Sequence, residues 1–148
     1  MFLLLFSNIL HAKTYSHHVE WEYKPDIIIC GKQPPDIEFV NKSLKYWKDL
    51  GYEFGVIEKA IDCPIKKPGK ITIENKYLPG EEGNTHVKKY AYQSDLKKEY
   101  IDYAIIKINQ ASTVNPNENQ DTLTHEIGHA LGILHTEDEE DIMFPYVY

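Results

Sequence analysis

The stretch that decides the fold is the eleven-residue run His125-Glu126-Ile127-Gly128-His129-Ala130-Leu131-Gly132-Ile133-Leu134-His135. At about 100° per residue, a helix through its first part turns His125 and His129 to the same face, one turn apart. Gly132 stands where that helix should end, because a glycine readily adopts the left-handed conformation that turns the chain back. His135 can then return to complete a set of three histidines.

Three histidines in this arrangement are typical of a zinc site. Three protein ligands leave the fourth position of Zn²⁺ open for water, as in catalytic rather than structural sites. Glu126 follows the first histidine and is placed to accept a proton from that water. The alternative is a solvated helix with three unrelated histidines, which the glycine at the expected turn disfavours. We predict His125, His129 and His135 as metal ligands and Glu126 as the catalytic base, with Gly132 supporting the site.

A second segment, Asp141-Ile142-Met143-Phe144-Pro145, places a methionine eight residues after His135. A methionine that turns beneath the histidines offers an apolar, adaptable floor that does not compete strongly for zinc. Without the histidine motif, Met143 would be interpreted as an ordinary core residue. A methionine turn after such a histidine motif resembles the metzincin signature, and this resemblance implies that Met143 and Pro145 support the site.

With these two segments the chain resembles the matrixin branch of the metzincin zinc endopeptidases. Thr136 directly after the third histidine, Asp138, and the turn Met143–Pro145 fit the matrixin pattern. Upstream, Tyr103–Asn109 is similar to the strand that precedes the active-site helix in bacterial-type matrixins, and Phe39–Tyr52 is similar to their first helix. The resemblance covers most of the chain, with motif-level matches only from the first histidine of the motif onward.

The resemblance implies a metzincin-like α+β fold. Its features are a mixed five-stranded sheet with one antiparallel edge strand, Thr85–Gln93, and two long helices, the second of which carries the HExxHxxGxxH motif. It also implies a zinc-dependent endopeptidase with one catalytic Zn²⁺, whose protein or peptide substrate binds extended along the edge strand. The family's catalytic domain normally continues into a C-terminal helix, whereas the chain stops at Tyr148, so we expect that helix to be lacking.

The residues themselves predict a mixed order of strands and helices. Apolar residues at helical spacing, with Trp47 as a core member, indicate a helix opened by Pro34-Pro35-Asp36 and ended by Gly51. The helix of the histidine motif begins near Asn117, a candidate N-cap. This order predicts one α+β or mixed α/β domain with helices packed on a sheet. The predicted strands are Asp26–Cys30, Tyr52–Ile61, Lys70–Lys76, Thr85–Gln93 and Tyr100–Asn109.

Composition and charge argue against several classes of function. The chain has 148 residues, of which 42% are hydrophobic and 26% charged, as in a folded protein that builds a core without many disulfides. Its net charge of −7 argues against nucleic acid or an anionic membrane surface as a partner. The longest apolar run, Phe2–Phe6, is far shorter than the ~20 residues that span a bilayer.

The N-terminal segment predicts export. Residues 1–12 form a short apolar stretch that ends in a small residue, which is typical of a signal peptide, although the basic opening segment is missing. An N-terminal strand or a disordered tail is the alternative. Cleavage leaves residues 13–148 as a single zinc metallopeptidase domain in a secreted or extracytoplasmic location. His17-His18 is interpreted as part of a flexible tail because of its terminal position.

Cys30 and Cys63 are the only cysteines, and no CxxC pair exists. If the first two strands run parallel as neighbours, both cysteines lie near the same end of the sheet, and a disulfide between them is sterically reasonable. Two buried free thiols are the alternative.

The predicted function is hydrolysis of internal peptide bonds by metal-activated water, with Glu126 as general base. The alternative is a catalytically inactive zinc-containing peptide-binding module, although a pure binder has no need of Glu126. A hydrolase of non-peptide amides is a third option, but an edge strand favours an extended peptide. A monomer is favoured. Calcium stays open, because Glu81, Glu82 and Asn84 in one loop, or His86 alone, fall short of a ligand set.

Overall fold

The computed structural model describes residues 14–81, 83–92, 95–109 and 116–145. The signal peptide predicted over residues 1–12 lies outside the described residues. The helices and strands follow one another as β1 Asp26–Cys30, α1 Ile37–Asp49, β2 Ile57–Ala60, β3 Lys70–Asn75, β4 Gly83–Tyr92, β5 Asp95–Ile108 and α2 Pro116–Ala130.

The strands form a mixed sheet in the order β2-β1-β3-β5-β4. β1 pairs in parallel with β2 and β3, and β3 pairs in parallel with β5. β4 lies at the edge and runs antiparallel to β5, with Thr85 opposite Ile106. The predicted α+β fold, a five-stranded mixed sheet with one antiparallel edge strand and two helices, is confirmed.

Helix α1 forms where apolar residues recur at helical spacing. Val40, Leu44 and Trp47 are buried on one side of it. The Asp36 carboxylate caps its N-terminus by accepting hydrogen bonds from two first-turn N–H groups, at 2.8 and 3.3 Å. The indole N–H of Trp47 donates to the backbone carbonyl of Thr124 on α2 at 2.8 Å, which joins the two helices in the core.

The core lies between these helices and one face of the sheet. Alternation along the strands turns every second side chain to this face. The buried residues there include Ile27, Ile29, Ile71, Ile73 and Ile106. Burying each such side chain stabilises the fold by about 1.5–3 kcal/mol. In the described part of the chain, neither helix is long and apolar enough to cross a membrane.

Several predicted boundaries are wrong. β4 begins at Gly83 rather than Thr85, and β5 begins at Asp95 rather than Tyr100, because the two strands stay paired as far as Tyr92 and Asp95. The second strand covers Ile57–Ala60 rather than Tyr52–Ile61, because the preceding residues use their N–H groups elsewhere. The N–H of Tyr52 donates to the carbonyl of Trp47 at the end of α1, at 3.1 Å, and that of Gly55 donates outside the sheet ladder. Helix α2 begins at Pro116, one residue before the predicted N-cap Asn117, since proline fits the first helical position.

The ends of β1 and β2 bring the two cysteines together. Because these strands are parallel neighbours, Cys30 at the end of β1 lies near Cys63, three residues beyond β2. Their Sγ atoms are bonded, with the Cα atoms 5.1 Å apart.

Candidate metal centre

Helix α2 and the turn after it bring three histidines to one point. His125 and His129 lie one turn apart on α2, which ends at Ala130. The chain then reverses at Gly132, which has a φ of +86°, and returns His135 to the same side. The Nε2 atom of His135 lies 3.1 Å from that of His129 and 3.3 Å from that of His125.

Backbone carbonyls orient the two imidazoles on α2. Nδ1 of His125 lies 2.7 Å from the carbonyl oxygen of Ile142, and Nδ1 of His129 lies 2.9 Å from that of Ile133. A carbonyl oxygen only accepts, so each Nδ1 carries the hydrogen and donates it. Each Nε2 atom therefore keeps its lone pair for a metal ion.

Partial desolvation disfavours the charged form of these histidines. It lowers the pKa of His125, His129 and His135 below the ordinary value, and repulsion from neighbouring histidines acts in the same direction. Neutral imidazole is the form that binds metal ions.

The spacing of the three nitrogens fits zinc. With Zn–N bonds of about 2.0–2.1 Å, tetrahedral ligands stand roughly 3.3 Å from one another, close to the observed 3.1 and 3.3 Å. Among the described residues, His125, His129 and His135 are the one group of three or more such side chains placed to share a metal ion.

The carboxylate of Glu126 lies beside this cluster in a buried position. Its side chain belongs to a residue only 8% exposed, and the hydroxyl of Thr85 on β4 donates to its Oε2 atom. Burial raises the pKa of the Glu126 carboxyl, and the hydrogen bond from Thr85 partly offsets that rise. A carboxylate with a raised pKa is more basic than an exposed one and is therefore better suited to accept a proton.

A matrixin family model matches residues 31–148. The chain belongs to the matrixin family. A search of curated proteins finds no match to it. The predicted family is thus confirmed, and family membership together with the histidine cluster makes the chain a zinc metallopeptidase in general terms, built as a metzincin catalytic domain.

The methionine turn of this matrixin packs against α2 at Gly128, a position between His125 and His129 in the sequence. Met143 is fully buried, and a Cβ atom added at Gly128 of α2 would stand 2.3 Å from its Sδ atom. The carboxylate of Asp141 accepts the Met143 N–H at 2.6 Å, and the Met143 carbonyl accepts the Thr136 N–H at 3.0 Å. Pro145 follows the turn and is partly buried. The two hydrogen bonds of the Met143 backbone fix the position of the methionine turn relative to α2.

The segment before β1 covers the C-terminal end of the matrixin's α2. The backbone N–H and Nδ1 of His18 both lie within hydrogen-bonding distance of the carbonyl of Gly132, at 3.1 and 2.7 Å. The indole N–H of Trp21 donates to the carbonyl of Ala130 at 2.8 Å. The prediction of a flexible tail at His17-His18 is therefore wrong, because the last carbonyls of a helix need donors and this segment supplies them.

Sequence reasoning missed several residues around the site. Thr85 and Gly128 carry no local signal, because their partners lie far away in the sequence. Asp141 does carry one, since an aspartate two residues before a turn residue commonly accepts its N–H. The Tyr15 hydroxyl donates to the Asp141 carboxylate at 3.2 and 3.3 Å, a contact across 126 positions that no short motif reveals.

Proposed function

We propose that this matrixin is a zinc-dependent endopeptidase in which His125, His129 and His135 bind one Zn²⁺ and Glu126 is the general base. The observation that carries the proposal is the convergence of three Nε2 atoms beside a buried carboxylate. When bound, zinc polarises the scissile carbonyl and lowers the pKa of a coordinated water to about 7.

The protein's own residues then move the proton. Glu126 accepts a proton from the attacking water as the water oxygen bonds to the peptide carbonyl carbon. It next delivers that proton to the nitrogen of the departing amine, so the C–N bond breaks without expelling an amide anion.

The substrate binds as an extended peptide along β4. This strand pairs with β5 on one side and forms an edge of the sheet, so backbone groups along its other side are open to a further strand. Thr85 of the same strand bonds to Glu126, which supports a peptide path close to the base. We expect N-methylation of the substrate backbone at alternate residues to raise KM, and no such alternation would contradict strand pairing.

The test uses the purified chain on a library of quenched-fluorescence peptides. It is run with zinc, with a chelator, and with the isosteric variant Glu126→Gln. We expect one zinc per chain and chelator-sensitive cleavage, with turnover about 10²–10⁴-fold lower in the variant and its zinc retained. Replacing any one of the three histidines should lower zinc occupancy as well. Cleavage by Glu126→Gln at the parental rate would contradict the mechanism, and zinc binding without cleavage would favour the peptide-binding module.

We propose that residues 13–148 act outside the cytoplasm as one zinc metallopeptidase domain, after removal of residues 1–12. The disulfide between Cys30 and Cys63 supports this location, because disulfides persist in oxidising compartments. N-terminal sequencing of the secreted protein should begin at Lys13. A mature protein that retains Met1 would contradict the proposal.

A further inference from the structure

The Glu126 carboxylate has one hydrogen-bond donor in the part of the chain that the structure describes, the hydroxyl of Thr85. This hydroxyl reaches Oε2 and also lies 3.1 Å from the backbone carbonyl of the same glutamate. It has a single hydrogen, and an ionised carboxylate is a stronger acceptor than a neutral carbonyl. Thr85 therefore anchors one particular oxygen of the carboxylate.

The second residue at this contact is Gly83, two positions earlier on β4. Residues two apart point to the same face of a strand, so Gly83 and Thr85 both face α2. A Cβ atom at Gly83 would lie 2.9 Å from Cγ and 3.1 Å from Oε1 of Glu126. The hydroxyl of Thr85 on β4 thus holds Oε2 of Glu126, and the absence of a side chain at Gly83 leaves space beside Oε1.

We propose that Thr85 is a positioning residue for the general base: it holds Oε2 of Glu126 and so presents Oε1 for proton transfer. This inference rests on the proposed function. An anchored carboxylate presents one oxygen in a single orientation, and orientation of this kind contributes directly to the rate of a proton-transfer step. Because β4 is also the proposed substrate strand, Thr85 couples the position of that strand to the position of the base.

The experiment compares Thr85→Val, which keeps the branched shape and loses the hydroxyl, with Thr85→Ser, which keeps the hydroxyl. On a quenched-fluorescence peptide we expect Thr85→Val to lower kcat about 10- to 100-fold, the effect of losing a hydrogen bond to a charged group. KM and zinc affinity should stay near the parental values, and Thr85→Ser should recover most of kcat. Thr72→Val is the matched control, since it makes the same change in β3, whereas the donor to the Glu126 carboxylate is Thr85 of β4.

A role through Glu126 also predicts non-additivity. In a Glu126→Gln background, Thr85→Val should lower the residual kcat by much less than in the parental protein. Equal losses in both backgrounds would overturn the proposal, as would equal losses in Thr85→Val and Thr85→Ser or a Thr85→Val enzyme with parental kcat.

A readout without zinc separates this inference from the proposed function. In urea unfolding of the metal-free protein, Thr85→Val should lower the folded-to-unfolded ratio about tenfold, because a buried carboxylate loses its donor. The same substitution should cost much less in Glu126→Ala, where no carboxylate remains. If the parental chain cleaves no peptide, the proposed function fails, but the energetic coupling between Thr85 and Glu126 in urea unfolding can still be measured. If that coupling is absent, the positioning role of Thr85 is overturned even in an active peptidase.

Discussion

Replacing Gly128 by alanine tests the contact between α2 and the methionine turn. A Cβ atom at this position would lie 2.3 Å from Sδ and 3.0 Å from Cε of Met143, and 2.7 Å from Cζ2 of Trp47. Carbon atoms in ordinary contact stand about 3.5–4.0 Å apart. One neighbour must therefore move by about 1 Å, and both are fully buried.

Two opposing effects decide the magnitude. Alanine gains about 1 kcal/mol over glycine in a helix interior. Overpacking of a filled core costs about 1–3 kcal/mol, and the upper part of that range applies because the indole of Trp47 is anchored to the Thr124 carbonyl at 2.8 Å. We expect Gly128→Ala to lower the free energy of unfolding by about 1–2 kcal/mol. For a chain of this size that corresponds to a fall in Tm of about 2–8 °C.

The assay is denaturant unfolding of the metal-free protein as a double-mutant cycle with Met143→Val. Valine lacks the Sδ and Cε atoms that stand closest to the added methyl group. We expect Gly128→Ala to cost at least about 1 kcal/mol less in this background than in the parental one. Zinc affinity provides a second readout. The Ile142 carbonyl beside Met143 orients His125, and loss of such support lowers metal affinity about 10- to 100-fold.

Two results would refute this reasoning. A stabilised Gly128→Ala protein would mean that helix propensity outweighs the contact with Met143. An equal cost in both backgrounds would mean that the cost does not arise from that contact. Asp121→Ala is a useful control, because it adds a good helix former at an exposed position of the same helix.

Three further predictions concern stability. Tyr15→Phe should lower the free energy of unfolding by about 1.5–3 kcal/mol, since the buried Asp141 carboxylate loses a donor; an unchanged urea midpoint would contradict this. Burial lowers the pKa of His125 and His129 below 6.5, so the unfolded metal-free chain binds more protons than the folded one as the pH falls. The free energy of unfolding should therefore fall as the pH drops below about 6.5. Urea unfolding is measured in the Glu126→Gln variant, because the buried Glu126 carboxyl has the opposite effect on the pH dependence. A urea midpoint that rises on acidification would contradict this prediction. Reducing the disulfide, which links residues 33 positions apart, should cost about 4 kcal/mol in a calorimetric or urea measurement, and no change would show that the bridge is dispensable.

The errors of prediction share a physical cause. Residues 52–56 have apolar and aromatic side chains suited to a strand, but their N–H groups are used to end α1 and to bind the segment before β1. His17-His18 has no periodic pattern that predicts structure. The segment is nevertheless held in place, because His18 hydrogen-bonds the carbonyl of Gly132 just beyond the end of α2. The bonds from Gly55 to Pro25 and from His18 to Gly132 join residues that are distant in the sequence, so no local pattern predicts them.

The resemblance to matrixins implied the mixed five-stranded sheet. The sequence by itself determined the order of the helices and strands and the grouping of the three histidines. These follow from local rules: the helical period brings His125 and His129 to one face, and Gly132 turns the chain so that His135 returns. Only the tertiary structure decided that Thr85 holds Glu126, across 41 positions, and that the N-terminal segment covers the end of α2. Periodicity fixes the direction of a side chain on its own element, whereas such contacts depend on the register and packing of elements joined through long loops.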